Sequence, residues 1–266
     1  MKLERIGTPY GGWVIPVDML TESSVCYSVG AGEDISFDLV LINKKNCHVY
    51  SFDPTPRAQK HISAVFEAAR KGSEMCINNN PKKLYDIPPG IFDKFHYYEY
   101  GVYSCDQKMK FYAPENPQYV SHSVVNWGNT NHYFEAECKS IHSIMKELKH
   151  DRIDLLKLDI EGAELDVIDG LMEQGICPRI LCVEFDEALH QLWSAGAFKC
   201  IRLLSARGYV IAHARLWNIT FIFKGGSERF ILTSGWNLIM MMGQYYLMKM
   251  INKMRQIIPT PRITKA

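Results

Sequence analysis

The sequence lacks the features that mark several specialised classes of protein. Its 266 residues contain no repeat, no low-complexity segment and no C-x-x-C pair, and the eight cysteines are scattered singly. Thirty basic and 29 acidic residues give a net charge of +1, so no whole-chain field attracts nucleic acid. The N-terminus lacks the continuous apolar core of a secretory signal. We therefore expect a cytoplasmic protein with free thiols that does not bind nucleic acid.

The hydrophobic content is high enough to form one large core. Hydrophobic residues make up 47% of the chain and aromatic residues 12%. A chain of this length can bury such a core within a single domain. We expect residues 1–228 to form this domain, including an N-terminal arm, and residues 229–266 to form an apolar and basic helical tail.

Strand-like and helix-like patterns alternate along this domain. The predicted strands are Val25–Val29, Cys47–Phe52, Phe95–Tyr103, Ile153–Leu158 and Ile180–Phe185, a closing hairpin of Tyr209–His213 and Ile219–Phe223, and Met109–Ala113, which extends or pairs with the third strand. One predicted helix follows Gly32, and the others cover residues 58–70, 137–148, 161–174 and 188–207. This alternation predicts an α/β fold with a mostly parallel, doubly wound sheet and a C-terminal antiparallel hairpin.

A glycine turn follows the first predicted strand. Gly30 and Gly32 form a G-x-G at a helix start, where backbone N–H groups can face a polar ligand. Asp53 lies 21 residues after Gly32, close to the spacing of about 20 at which an acid reaches a ribose diol. The third glycine of a dinucleotide fingerprint is absent, and Glu33 and Asp34 stand where a pyrophosphate would lie. These acids favour a cationic nucleoside such as S-adenosylmethionine over NAD.

A second acidic group follows the fourth predicted strand, in the stretch LLKLDIEGAE. Open parallel sheets bind ligands outside the carboxyl ends of their strands, where the strand order reverses. We therefore expect Asp159 to lie beside the glycine turn. Glu161 and Glu164 are spaced i and i+3, which places them on one face of the next helix. For Glu164 we expect only the stabilisation that an acid gives a helix N-terminus, about 0.3–1 kcal/mol.

The segments KLDIEGAE and VEF (Val183–Phe185) resemble the signature of the FkbM family of S-adenosylmethionine-dependent methyltransferases. Other segments are similar to that family in the same order: SVGAGED, YSFDP, CKSIHSIMKEL, VIDGL and the final GY with N-x-T-F-I-F. The resemblance covers about residues 24–224. The first motif differs from the commoner G-A-N-x-G form. The segment between Lys110 and Asn131 matches poorly, and we expect acceptor recognition there.

This resemblance implies the Rossmann-like class I methyltransferase fold and an O-methyltransferase whose acceptor hydroxyl is commonly on a sugar. It also implies that S-adenosylmethionine lies over Gly30 and Gly32, with its ribose on Asp53; Glu33 completes the candidate cofactor site. Methyl transfer to a sugar hydroxyl requires alignment and gains from a positioned base. Asp159 is the first candidate for this catalytic base and Glu161 the second.

Other interpretations of the same residues stay open. Asp159, Glu161, Glu184 and Asp186 carry hard oxygen ligands, so a divalent Mg²⁺ or Ca²⁺ site is an alternative that we do not favour. The βαβ start is also compatible with a nicotinamide oxidoreductase, and the chain could instead be a catalytically silent S-adenosylmethionine-binding module.

Two segments outside the predicted sheet carry further expectations. Phe230–Ile251 is rich in Leu, Ile and Met but is interrupted by polar residues, which makes it marginal as a membrane-spanning helix. Packing or homodimer formation is favoured, ahead of peripheral membrane contact that would make the protein membrane-associated. Residues Tyr10–Trp13 either fold over the cofactor as a lid or form an anchored arm.

Overall fold

The computed structural model describes residues 1–77, 80–114, 122–127, 129–185 and 195–225. The predicted tail, residues 229–266, and Asp186 lie outside these residues, and so does the first part of the helix predicted over residues 188–207. Among the described residues, no helix combines the length and hydrophobicity needed to cross a membrane. All eight cysteines lie within the described residues and are free thiols.

The described chain contains strands and helices in alternation. The strands are β1 (Glu4–Ile6), β2 (Trp13–Ile15), β3 (Val25–Val29), β4 (His48–Phe52), β5 (Cys76–Ile77), β6 (Asn80–Leu84), β7 (Phe95–Tyr98), β8 (Gly101–Val102), β9 (Gln107–Tyr112), β10 (Tyr133–Lys139), β11 (Leu155–Leu158), β12 (Ile180–Glu184), β13 (Tyr209–Arg215) and β14 (Asn218–Phe223). The helices are α1 (Ser36–Lys45), α2 (Pro56–Lys71), α3 (Ile91–Lys94), α4 (Ile141–Leu148), α5 (Glu164–Glu173) and α6 (Ala195–Ala206).

Seven strands form the central sheet in the order β13-β14-β12-β11-β3-β4-β7. Strands β12, β11, β3, β4 and β7 are parallel, while β14 is antiparallel to both of its neighbours. The chain builds outward from β3 through β4 to β7, and then resumes on the other side of β3 with β11. The strand order therefore reverses between β3 and β11, which is where open α/β sheets bind ligands.

Helices cover both faces of this sheet. One core cluster packs apolar residues of α1, α2 and α3 against one face, and a second cluster packs residues of α4, α5 and α6 against the other. Strand β11 contributes side chains to both clusters: Leu155 lies in the first cluster, and Leu156 and Leu158 lie in the second. Alternate side chains of a strand point to opposite faces, so a strand buried on both faces is mostly apolar, as β11 is apart from Lys157. The predicted doubly wound architecture is confirmed.

Several predicted boundaries were wrong. Glu137–Lys139 was predicted as helix but belongs to β10, because the helix begins only after Ser140, whose side chain accepts a hydrogen bond from the Ser143 N–H. The third predicted strand is divided into β7 and β8. The segment Met109–Ala113 contributes to β9, which pairs with β10 in a separate three-stranded sheet of order β8-β10-β9.

The N-terminal arm forms an antiparallel hairpin of β1 and β2 that the sequence did not predict. Thr8, in its loop, donates a hydrogen bond from its hydroxyl to Asp34 at 2.5 Å and another from its backbone N–H to Ser36 at 2.9 Å. The Thr220 hydroxyl of β14 donates to the carbonyl oxygen of Val14 at 2.8 Å. The arm is therefore anchored at both the glycine turn and the closing hairpin.

Candidate active site

A cavity of about 440 Å³ opens at the carboxyl ends of the parallel strands, over the reversal point between β3 and β11. Its walls come from the β1–β2 loop, the glycine turn, the turn after β11 and the β13–β14 turn. From the segment between Lys110 and Asn131, Phe111, His122 and Val124 also line it. The volume lies within the range of about 300–1,000 Å³ that is usual for small-molecule sites.

The two glycines of the predicted turn serve different purposes. Both adopt left-handed backbone, with φ of +84° at Gly30 and +54° at Gly32. A Cβ at Gly30 would lie 1.7 Å from the carbonyl oxygen of Asp159, whereas a Cβ at Gly32 would meet nothing within 4 Å. Gly30 therefore lets the ends of β3 and β11 approach each other, and Gly32 leaves backbone open to the cavity.

Asp53 is 5% exposed and holds the glycine turn in place. Its Oδ2 accepts hydrogen bonds from the N–H groups of Ala31 and Gly32 at 3.0 and 2.9 Å. Its Oδ1 accepts from the N–H and hydroxyl of Thr55 at 2.8 and 2.6 Å. These four bonds use the full acceptor capacity of a carboxylate, so a ribose hydroxyl must share or replace one of them.

The two acids after the glycine turn are also paired within the protein. Glu33 forms a two-pronged ion pair with Arg57, with Nη2–Oε2 and Nε–Oε1 distances of 2.8 and 3.2 Å. Asp34 accepts from Thr8 and from the Ser36 N–H at the start of α1. Glu33 lines the cavity with its charge balanced, and Asp34 anchors the arm.

A buried lysine lines the cavity, and the sequence analysis did not identify it as a site residue. Lys157 is 5% exposed, and its ammonium contacts the carbonyl oxygen of Gly30 at 2.8 Å and Asp159 Oδ2 at 3.0 Å. Burial lowers the pKa of Lys157, but the carboxylates of Asp159 and Asp38 outweigh burial, so the pKa is raised. The signal in the sequence was a single lysine inside the apolar run LLKL.

Glu184, at the end of β12, completes this cluster. It shares a hydrogen bond with Asp159, and burial followed by the charge of Asp159 raises the pKa of Glu184 to about 9. The Glu184 carboxyl is therefore protonated at neutral pH and able to donate that bond. The sequence placed Glu184 only in the metal alternative. Among the described residues, no group of three His, Cys, Asp or Glu side chains is arranged to hold a metal ion.

Glu161 and Glu164 were predicted to share one face of the next helix, and this prediction was wrong, because α5 begins only at Glu164. Glu161 lies before α5 with φ of +56°, a left-handed conformation that is strained for a residue other than glycine. Its carbonyl oxygen accepts a hydrogen bond from the Ser123 hydroxyl.

Glu164 is not a surface acid. It is 2% exposed, and its carboxylate accepts from the N–H groups of Ile160 and Gly162, each at 3.0 Å. Glu164 thus shapes the turn that carries Asp159 and Glu161.

The family model for the methyltransferase FkbM domain matches residues 28–211. The chain belongs to this family. No curated protein matches the chain. Two solved structures resemble it distantly, each with a TM-score of 0.38. One is an rRNA methylase from Streptococcus thermophilus, at 9% identity over 77% of this chain and 88% of that one. The other is a precorrin-6y C5,15-methyltransferase from Geobacter metallireducens, at 11% identity over 76% and 82%.

The FkbM domain contains every site residue predicted from the sequence, from Gly30 to Glu161, together with Lys157 and Glu184. Its sheet has the class I methyltransferase fold expected from the resemblance, and membership in the family favours methyl transfer over the nicotinamide chemistry left open above. The match ends at residue 211 and begins at residue 28, so the wall formed by the β1–β2 loop and the β13–β14 turn lies outside it.

Proposed function

We propose that this FkbM protein is an S-adenosylmethionine-dependent O-methyltransferase that acts on a hydroxyl of a sugar or glycosylated metabolite. The observation that carries the proposal is the Lys157–Asp159–Glu184 cluster, which places a carboxylate at the reversal point of the sheet, inside a cavity of small-molecule size. The family supports methyl transfer, and an oriented carboxylate supports a hydroxyl acceptor, because a hydroxyl must lose its proton during the reaction.

The residues around the glycine turn fit the cofactor. Gly32 leaves backbone open to the cavity, Asp53 fixes that backbone, and Glu33 contributes a carboxylate whose charge Arg57 balances. We call Gly30, Gly32, Glu33 and Asp53 the cofactor side. S-adenosylmethionine, when bound, supplies an electrophilic methyl group on a positively charged sulfur.

The central cluster would handle the proton. Asp159 accepts the proton of the acceptor hydroxyl as the oxygen bonds to the methyl carbon and the carbon–sulfur bond breaks. Lys157 orients Asp159 through the 3.0 Å ion pair, and Glu184 does so through the shared hydrogen bond. Glu161 remains the second candidate base. The strained Glu161 backbone is held by Ser123, as expected where a fold fixes a functional turn.

Calorimetry with S-adenosylhomocysteine and with NAD tests the cofactor assignment directly. We expect micromolar affinity for S-adenosylhomocysteine and no binding of NAD. Asp53→Ala should weaken S-adenosylhomocysteine binding by about 10- to 100-fold, because it releases the N–H groups of the glycine turn and removes the proposed ribose contact. The assignment would be contradicted if the protein bound only NAD, or if it bound neither ligand. A second assay uses S-adenosylmethionine with a labelled methyl group. Transfer of the label to a sugar indicates an enzyme, whereas binding without transfer indicates a silent binding module.

A further inference from the structure

The polar groups of the cavity follow the order of the strands along the carboxyl edge of the sheet. Asp53 follows β4, Gly30 follows β3 and Asp159 follows β11. Glu184 is the last residue of β12, and Arg215 is the last residue of β13, which lies beyond β14 in the sheet. Neighbouring strands lie about 4.8 Å apart, so Arg215 stands about 14 Å from Asp159 across three strand spacings. The cofactor side and Arg215 therefore lie at opposite ends of the cavity, with the acids between them.

The far end of the cavity carries two arginines. Arg5 of β1 and Arg215 of β13 both line the cavity, and neither lies within ion-pair distance of a carboxylate among the described residues. Arg5 uses one nitrogen to donate to the carbonyl oxygens of Gly12 and Thr8, at 2.8 and 3.3 Å. The other nitrogens of its guanidinium group are not used in these bonds, and no acid in the described part of the chain forms an ion pair with it.

The charges of both arginines act on one side chain, that of His213. It also lines the cavity, and its pKa is lowered by burial first and then by the charges of Arg5 and Arg215. A neutral imidazole beside two guanidinium groups leaves a net positive end of the cavity. This contrasts with the cofactor side, where Arg57 balances Glu33.

The β13–β14 turn adds surfaces that suit a sugar. Trp217 and Asn218 line the cavity. Leu216, which precedes them in the turn, adopts a left-handed backbone conformation with φ of +54°. Such a conformation is costly for leucine, and strained backbone is concentrated at functional sites. The carbonyl oxygen of Trp217 accepts from the Phe185 N–H at 3.1 Å, which fixes the turn to the end of β12. An indole offers an apolar face to a sugar ring, and an amide offers both donor and acceptor groups.

We propose that the acceptor is an anionic saccharide, whose carboxylate or phosphate group binds Arg5 and Arg215 while its hydroxyl faces Asp159. This inference rests on the proposed function. Guanidinium groups bind carboxylates and phosphates through paired, charge-assisted hydrogen bonds. We call Arg5, His213, Arg215, Trp217 and Asn218 the acceptor side.

The test is calorimetric binding of three sugars to the protein saturated with S-adenosylhomocysteine. D-glucuronate carries a carboxylate, glucose 6-phosphate carries a phosphate, and D-glucose is their neutral counterpart. We expect at least one of the two anionic sugars to bind about tenfold or more tightly than glucose, and raised salt to reduce this preference. The better of the two identifies the anionic group. Equal affinity for the three sugars, including no detectable binding of any, overturns the proposal.

Two variants test whether Arg215 causes the preference for anionic sugars. Arg215→Gln should abolish the preference for the anionic sugar and leave S-adenosylhomocysteine binding unchanged, whereas Arg202→Gln, an exposed arginine on α6, should change neither. A preference that survives in Arg215→Gln overturns the proposal. So does weakened S-adenosylhomocysteine binding in that variant, because Arg215 would then contact the cofactor. Failure of the parent protein to bind S-adenosylhomocysteine would instead contradict the proposed function itself.

Discussion

The cofactor side and the acceptor side of the cavity differ in how their charges are balanced. On the cofactor side, Asp53 accepts four hydrogen bonds from the protein, and Glu33 is paired with Arg57. On the acceptor side, Arg5 and Arg215 have no carboxylate partner among the described residues. A site whose groups satisfy one another is preorganised before its ligand binds, whereas unbalanced charge is left for the ligand to satisfy.

The two sides also differ in where they come from in the chain. The cofactor side lies within the part that matches the FkbM domain, while the acceptor side is formed by hairpins before and after it. This difference agrees with a shared cofactor and a variable acceptor, because the same fold can serve many substrates when the surrounding loops change. The boundary between the two sides is at Asp159, between Gly30 after β3 and Glu184 at the end of β12.

The largest effect is expected at Asp159, on the boundary itself. Asparagine keeps the size of the side chain but cannot take a proton, so Asp159→Asn should lower turnover by about two to four orders of magnitude. Affinity for S-adenosylhomocysteine should change little. Asp151→Asn, at a side chain that is 92% exposed, is the matched control. Turnover near that of the parent would rule out Asp159 as the base, and loss of activity with chelator in the parent would support the metal alternative.

Gly30→Ala should reveal how tightly the cofactor side is built. The added Cβ would lie 1.7 Å from the carbonyl oxygen of Asp159, so β3 and β11 must separate. We expect the free energy of unfolding to fall by about 2–4 kcal/mol, measured by urea denaturation. Gly72→Ala is the control, because Gly72 is also left-handed but its Cβ would meet no atom within 4 Å. It should cost only about 1–2 kcal/mol. Equal losses in the two variants would mean that the close approach is unimportant.

Glu164→Gln tests the turn that joins the two sides. Glutamine offers one acceptor oxygen to two N–H groups, so either Ile160 or Gly162 loses its partner. We expect a loss of about 1–3 kcal/mol in the free energy of unfolding, together with lower turnover. Glu173→Gln, at an exposed position of the same helix, should have no measurable effect. If both variants unfold alike, Glu164 does not shape the turn.

The smallest expected effect is a change in pH dependence at Glu184. Its pKa is raised from an ordinary value of 4.5 to about 9, so the folded protein binds an extra proton between these values. The free energy of unfolding gained from Glu184 is therefore fully present below about pH 4.5 and is lost as the pH rises through about 9. Thermal melts of Glu184→Gln between pH 5 and about 9 should show a weaker decline than the parent. Identical slopes would mean that Glu184 ionises normally.

The sequence by itself determined the order of the strands in the central sheet along the chain, the fold class and the position of the glycine turn. Apolar runs such as Leu155–Leu158 and the left-handed glycines are local signals, because strand burial and backbone conformation depend on neighbours along the chain. The motif KLDIEGAE was sufficient to place Asp159 at the carboxyl edge. Helix starts were less certain, since Glu161 precedes α5 and Glu137 belongs to β10.

Only the tertiary structure decided which of these residues interact and which charges remain unbalanced. Lys157 donates a hydrogen bond to Gly30, which lies 127 positions away in the chain, because sheet order brings distant segments to the same edge. For the same reason Arg5 and Arg215 both line the cavity and both act on His213. The sequence predicted only that Glu164 stabilises a helix N-terminus, yet Glu164 is buried and its carboxylate holds two backbone N–H groups of the turn. Burial and charge balance depend on all the elements packed around a group, so they follow from the packed fold and not from local sequence pattern.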